Sequence, residues 1–177
     1  MKVIKTKFKG LIIYKKKYFK DKRGYFLELY KKKIIDKNFP FTCISYSKKN
    51  VLRGLHMQTR NAQGKYVSVL KGKVLDVVVD LRPKSKTFGK HFKIILSEKN
   101  STSIYIPEGF AHGFCGLARE NYLLYSCSNY RDKKAELGIK WNDVDLKIKW
   151  PITKPITSAK DKKNITLAEF KKKNIKL

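Results

Sequence analysis

The sequence predicts an all-β fold, a sandwich or barrel with little helix. Two observations carry this. Apolar, β-branched runs of four to eight residues recur along the chain. Short clusters of Gly, Asn, Ser and charged residues break them at regular intervals. Many short strands punctuated in this way belong to two apposed sheets or to one sheet closed on itself.

The elements follow in order. Gly24 to Tyr30 alternates apolar and polar side chains, the pattern of a half-buried strand. Lys31 to Lys37 reads as a helical turn. Tyr66 to Leu70 and Lys73 to Asp80 form a strand pair joined at Lys71-Gly72, the second almost continuously apolar, as in a strand covered on both faces. His91 to Leu96 and Ser103 to Ile106 are separated by the turn-like Ser97-Glu-Lys-Asn-Ser. Gly113 to Leu117 and Tyr122 to Ser126 are broken by Ala118-Arg-Glu-Asn. A second helical turn is expected near the C-terminus. No repeat or linker interrupts the pattern, so one domain over residues 1–177 is expected.

The totals set limits. A chain of 177 residues, 42% hydrophobic and 12% aromatic, can bury a core and is not a disordered basic tail. No stretch approaches the roughly 18 apolar residues of a membrane span, so no membrane partner is expected. The apolar patch Leu11 to Tyr14 is too short for the core of a signal peptide, so a cytoplasmic protein is expected. Cys43, Cys115 and Cys127 are odd in number and lack a CxxC pair, which suits reduced thiols. The net charge of +28 attracts polyanions. Its lysines are spread over the whole length without a nucleic-acid fold signature, so no specific nucleic-acid partner is expected.

Three stretches put ionisable groups where strands end: Arg53-Gly-Leu-His56 with Lys65, Ile106 to Phe114 around His112, and Tyr122 to Tyr125. Taken singly, the histidines and the tyrosine read as structural packing, and Lys65 as one of many lysines. Together, on strands lining one barrel, they supply two imidazoles, a cation and a phenol. A metal site is not expected, because neither histidine has a second histidine and a carboxylate at ligand spacing.

The stretches LRGLHMQ, AQGKYVSVLKGKVLDVVVDLR, SKTFGK, IYIPEGFAHGF, WNDVDLKIKWP and PITSAKD resemble the dTDP-4-dehydrorhamnose 3,5-epimerase family. The likeness runs from about Phe19 to Asp161, with the motifs in the family's order. It implies a cupin-like jelly-roll barrel, a homodimer, and a metal-free isomerase without cofactors. Such an enzyme acts on a nucleotide-diphospho-4-keto-6-deoxyhexose. Both C3 and C5 of that sugar flank the C4 ketone, so losing a proton from either gives an enolate. Reprotonation from the other face inverts the centre.

By resemblance His56 is the base and Asp161, in Ser158-Ala-Lys-Asp, its carboxylate partner. Lys65 steadies the enolate oxygen with His112 nearby, a contribution of roughly 3–4 kcal/mol for one such donor. Tyr125, thirteen residues after His112, is the acid. Arg53 contacts phosphate, and Arg23, Phe26 and Glu28 reach the nucleotide across the dimer. Gln58, Glu136 and Lys160 are further substrate-binding candidates.

Three departures bear on specificity. Phe41 and Cys43 stand where the family usually carries Gln and Asn, which leaves the nucleotide open. Arg131 stands at a usual tyrosine, with Tyr130 just before it, which leaves open whether C3, C5 or both are inverted. The interval from His56 to Lys65 is one residue shorter than the common one. Rival readings are a single-site epimerase on another nucleotide sugar, a catalytically silent sugar-nucleotide-binding cupin, a polyanion-binding protein and a ketoisomerase.

Overall fold

The structure, a computed structural model, describes residues 1–173 and 175. Thirteen strands, β1 (Lys2–Lys5), β2 (Ile12–Lys15), β3 (Tyr18–Asp21), β4 (Gly24–Leu27), β5 (Phe41–Lys48), β6 (Leu52–Gln58), β7 (Lys65–Lys71), β8 (Lys73–Asp80), β9 (His91–Ser97), β10 (Thr102–Ile106), β11 (Phe110–Gly116), β12 (Glu120–Cys127) and β13 (Glu136–Gly138), dominate it. Short helices α1 (Lys32–Ile35), α2 (Ala159–Lys162) and α3 (Leu167–Lys172) complete it. A six-stranded sheet in the order β1-β2-β10-β7-β12-β5 faces a five-stranded sheet in the order β13-β6-β11-β8-β9. All the named strand pairs are antiparallel. This is the expected all-β jelly-roll class.

Side chains alternate across each strand, so each sheet has an inner and an outer face. Val67 and Val69 of β7, Ile104 and Ile106 of β10 and Leu123 of β12 meet Val74 and Val78 of β8 and Phe110 and Phe114 of β11. These residues fill the space between the sheets with Phe8, Leu11 and Leu96. At roughly 1.5–3 kcal/mol per fully buried large side chain, this layer is the main stabilising element.

Residues from Ile139 to Phe170 cover the outer face of the five-stranded sheet through Ile139, Leu146, Leu167 and Phe170. Thr166 caps α3 with a capping box to Glu169. Isolated parallel bridges, Val51 to Ile156 and Ile139 to Ile165, tie this C-terminal segment to the barrel. Ile35 and Phe39 pack on Tyr14, Tyr66 and Tyr105 on the outer face of the other sheet. The hairpin β3-β4 forms its own two-stranded sheet and leaves Phe19, Tyr25 and Phe26 exposed.

Two expectations change. Leu11 to Tyr14, read only as a short apolar patch, contributes to β2, which pairs with both β1 and β10. The strand expected over Gly24 to Tyr30 stops at Leu27, the end of its pairing with β3.

Lys16, just past β2, points onto the outer face against the hydroxyls of Ser68 and Ser103. Desolvation lowers its pKa to about 8. In the unfolded chain a lysine holds its proton to about 10.5, so between these values the unfolded state binds more protons and stability rises with pH. Lys16→Met is expected to flatten that rise between pH 8 and 10 relative to the parent, read from urea midpoints. An unchanged slope would show that Lys16 is hydrated.

Candidate active site

At one end of the space between the sheets the apolar filling gives way to a cavity of about 450 Å³. Its walls come from the same alternation that builds the core. His56 on β6 and His112 on β11 are direct cross-strand partners. Gly54 makes this close approach possible: at φ +122° it faces Gly113, and a Cβ there would lie 2.5 Å from the Gly113 Cα. The register shifts between His112 and Phe114, a bulge beside the two imidazoles.

Each histidine meets its own carboxylate. Asp161, 3% exposed, bonds His56 Nε2 at 2.5 Å. The C-terminal segment delivers it, and the Ser158 hydroxyl accepts from the Asp161 N–H at 3.0 Å to start α2. Burial alone would raise the Asp161 pKa. Hydrogen bonding and charge from His56, with the Gly54 N–H and Ser158, outweigh it and hold the carboxyl low. An ionised carboxylate only accepts, so His56 Nε2 donates to Asp161 and Nδ1 is the ring nitrogen outside that bond. His112 Nε2 lies 2.8 Å from Asp76 Oδ2, both residues buried. Asp76 Oδ1 is the one buried side-chain oxygen or nitrogen without a partner among the described residues.

The opposite wall belongs to the six-stranded sheet. Lys65 opens β7, Tyr125 and Cys127 point inward from β12, and Cys43 and Ser45 from β5. The Tyr125 hydroxyl lies 3.2 Å from Ser45 Oγ, and its ring packs edge-on to His112 at 6.2 Å. Desolvation pushes the phenol pKa far up, against a smaller lowering by Ser45, so Tyr125 holds its proton at neutral pH. Desolvation lowers the Lys65 pKa, while Cys127, Glu136, Cys43 and Asp76 act to raise it. The cavity thus sets the His56 imidazole and a protonated phenol on facing walls, with the Lys65 amine on the same wall as the phenol.

The sequence matches the family model described as dTDP-4-dehydrorhamnose 3,5-epimerase over residues 5–169. It is 43% identical over 168 residues to dTDP-4-dehydrorhamnose 3,5-epimerase of Shigella flexneri, covering 91% of this chain and 93% of that protein. The crystal structure of the Bacillus anthracis enzyme of that name, with TDP and PPi bound, superposes with a TM-score of 0.91 at 39% identity, covering 94% of this chain and 99% of that one. The Legionella pneumophila dTDP-6-deoxy-D-glucose-3,5-epimerase, in complex with dTDP-4-keto-L-rhamnose, gives a TM-score of 0.90 at 38% identity, covering 96% of each chain.

The chain belongs to the dTDP-4-dehydrorhamnose 3,5-epimerase family. It is an isomerase family.

In this epimerase the structure brings His56, His112, Lys65, Tyr125 and Asp161 together on one cavity. Arg53, Gln58, Glu136 and Lys160 line it too, with different freedom. Arg53 is braced by Ser47 Oγ at 2.9 Å and the Tyr46 carbonyl at 3.0 Å. The Gln58 amide is occupied: it donates to the Asn61 and Tyr130 carbonyls and accepts from the Asp132 N–H, which holds the 130–132 loop. Glu136 is held between Arg131 Nε, at 2.5 Å, and Lys160. Those bonds outweigh burial and push its pKa down to about 2.

Arg23, Phe26 and Glu28 do not join the cavity within one chain. Arg23 pairs with Asp21 at 2.6 Å on the hairpin, Phe26 is exposed, and Glu28 pairs with Lys31 at 2.6 Å. A shallower depression lies behind Glu136 and Lys160, lined also by Lys163 and Asn164, and neither His56 nor His112 borders it.

Sequence reasoning passed over Asp76, Ser45 and Cys127. Asp76 had a usable signal: it is the lone charge within the apolar run Val74-Leu-Asp-Val-Val-Val79, and a charge at such a position needs a partner.

Lys65 is a lysine kept in a desolvated place, where its charge is disfavoured, without an ion pair among the described residues. Groups held this way for function reduce stability. Lys65→Met is expected to raise the melting temperature by about 2–4 °C, the shift that ~1 kcal/mol gives in a chain of this size. A lower melting temperature would show that the ammonium is compensated in the fold.

Proposed function

We propose that this epimerase inverts C3 and C5 of a nucleotide-diphospho-4-keto-6-deoxyhexose, turning dTDP-4-dehydro-6-deoxyglucose into dTDP-4-dehydrorhamnose. The observation that carries the reading is the opposition of two walls, His56 with Asp161 on one and Tyr125 on the other. Inversion through an enolate needs that arrangement, a proton leaving one face and another arriving at the opposite face.

His56 Nδ1 takes the proton next to the ketone, and Asp161 stabilises the imidazolium that results. Lys65 steadies the enolate oxygen, and His112, oriented by Asp76, supports it. Tyr125 returns a proton from the other wall. C3 and C5 both flank C4, so one base and one acid serve both centres as the ring shifts in the cavity. Arg53, fixed by its two hydrogen bonds, presents its remaining donors to a diphosphate. The steps use no cofactor and no metal.

The protein acts as a homodimer, one domain per chain, in the cytoplasm. Exposed Ile44 and Tyr46 on edge strand β5, and Phe19, Tyr25 and Phe26 on the β3-β4 hairpin, supply apolar surface for a second copy. In that dimer Arg23, Phe26 and Glu28 serve the neighbour's cavity. The free thiols suit a reducing compartment, and no helix among the described residues is long and apolar enough to cross a membrane.

A single-centre epimerase is the second reading. The fixed ion pair Arg131–Glu136 on the cavity wall favours it, since it stands where the family usually has tyrosine.

Proton exchange separates the roles. His56→Ala is expected to stop wash-in of solvent deuterium into the sugar while nucleotide binding persists, with turnover falling by roughly 10²–10⁴. Tyr125→Phe is expected to keep more of the exchange than of the inversion. Retained exchange in His56→Ala would remove His56 from the base role.

A further inference from the structure

Cys43 and Cys127 take no part in the proposed chemistry, yet both line the cavity. Cys43 pairs with Tyr125, and Cys127 pairs with Phe41 on one side and Lys65 on the other. The two cysteines are therefore diagonal neighbours on the inward face of adjacent strands. Both side chains border the cavity that Lys65 also lines, and Lys65 is the direct cross-strand partner of Cys127. Cys43 is exposed, so a small solute reaches it from solvent, while Cys127 beside it is buried, as is Cys115 on β11.

We propose that Cys43 and Cys127 form a two-thiol modification site that hydrogen peroxide converts to a disulfide, and that this cross-link disables the cavity. The Cys43 thiol attacks the peroxide, giving a sulfenic acid and water. The Cys127 thiol then displaces the sulfenic oxygen as a second water, leaving the disulfide. Two thiols lose two electrons and two protons, and the peroxide is reduced to two waters.

The position of β5 links the bond to activity. Diagonal Cα atoms in a sheet lie roughly 7–8 Å apart, beyond the ~5.5–6 Å usual for a disulfide. Within one chain β5 is an edge strand, bonded to β12 alone, so moving it strains one ladder and the Ile44 and Tyr46 surface offered to a second copy. Such a shift displaces Ser45, on the same strand, from the Tyr125 hydroxyl that it holds at 3.2 Å. Burial raises both thiol pKa values, that of Cys127 to about 11, so the reaction is slow at neutral pH and quickens as pH rises. The effect on turnover rests on the function proposed above, whereas the cross-link itself does not.

The test is to treat the protein with hydrogen peroxide at pH 7 and pH 9, and to follow intact mass, peptide map and turnover. The expected result is a mass loss of about 2 Da, for the two hydrogens removed. A peptide joining Cys43 to Cys127 should appear, faster at pH 9, with turnover lost and then restored by dithiothreitol. Cys43→Ser and Cys127→Ser should each abolish the 2 Da loss, and Cys115→Ser should retain it. Added oxygen without a Cys43–Cys127 peptide would overturn the site. The joined peptide with turnover intact would overturn the switch. If no sugar nucleotide is turned over by the untreated protein, the peptide map alone still decides the site.

Discussion

The constraint on which the rest depends is the two-residue alternation of side chains on two facing sheets. It forces every strand to divide its residues between the core and the outside. It also lets one strand serve two purposes along its length. β7 sends Val67 and Val69 into the apolar layer and Lys65 into the cavity. β12 does the same with Leu123 and then Tyr125 and Cys127. On the other sheet, β8 flanks Asp76 with Val74 and Val78. Rigid strands thus hold the reacting groups, and the packed core beneath fixes the separation of the walls.

Desolvation is the second effect, and its sign differs from group to group. It keeps Tyr125 protonated and works against the charge on Lys65. It would also neutralise Asp161, but His56, Gly54 and Ser158 together reverse the outcome. A site that needs an acid, a cation and a carboxylate within one cavity gets them from local hydrogen bonding set against the same burial. In the proposed mechanism the carboxylate must stay ionised beside an imidazole that gains and loses a proton, and it is the one of the three tied by His56, Gly54 and Ser158 together.

The legible parts of the sequence were those where both faces of a strand are buried. β8, with its apolar run, and the strands β7, β10 and β12 stood out for that reason, while β9 stood out by its apolar residues although it is partly exposed. β5 and β6 did not. Phe41–Lys48 exposes much of one face and lines the cavity with the other, so hydrophobicity marks neither. Leu52–Gln58 carries Arg53, Gly54, His56 and Gln58 because it builds the site, and those residues mask its alternation. The pairing of His56 with Asp161, 105 residues apart, could come only from family resemblance, since no local pattern links them. Asp76 was readable in principle but looked like an interruption. The hairpin residues Arg23, Phe26 and Glu28 lie where a single chain gives them no cavity to face.

Opposed walls make a definite claim about protons: both carbons beside the ketone exchange with solvent, and each is inverted. The direct measurement is incubation of the protein with dTDP-4-dehydro-6-deoxyglucose in heavy water, read by mass and NMR. Deuterium at both C3 and C5, with inversion at each, is the predicted result. Deuterium at one carbon alone, or at neither while the sugar nucleotide is bound, would contradict it.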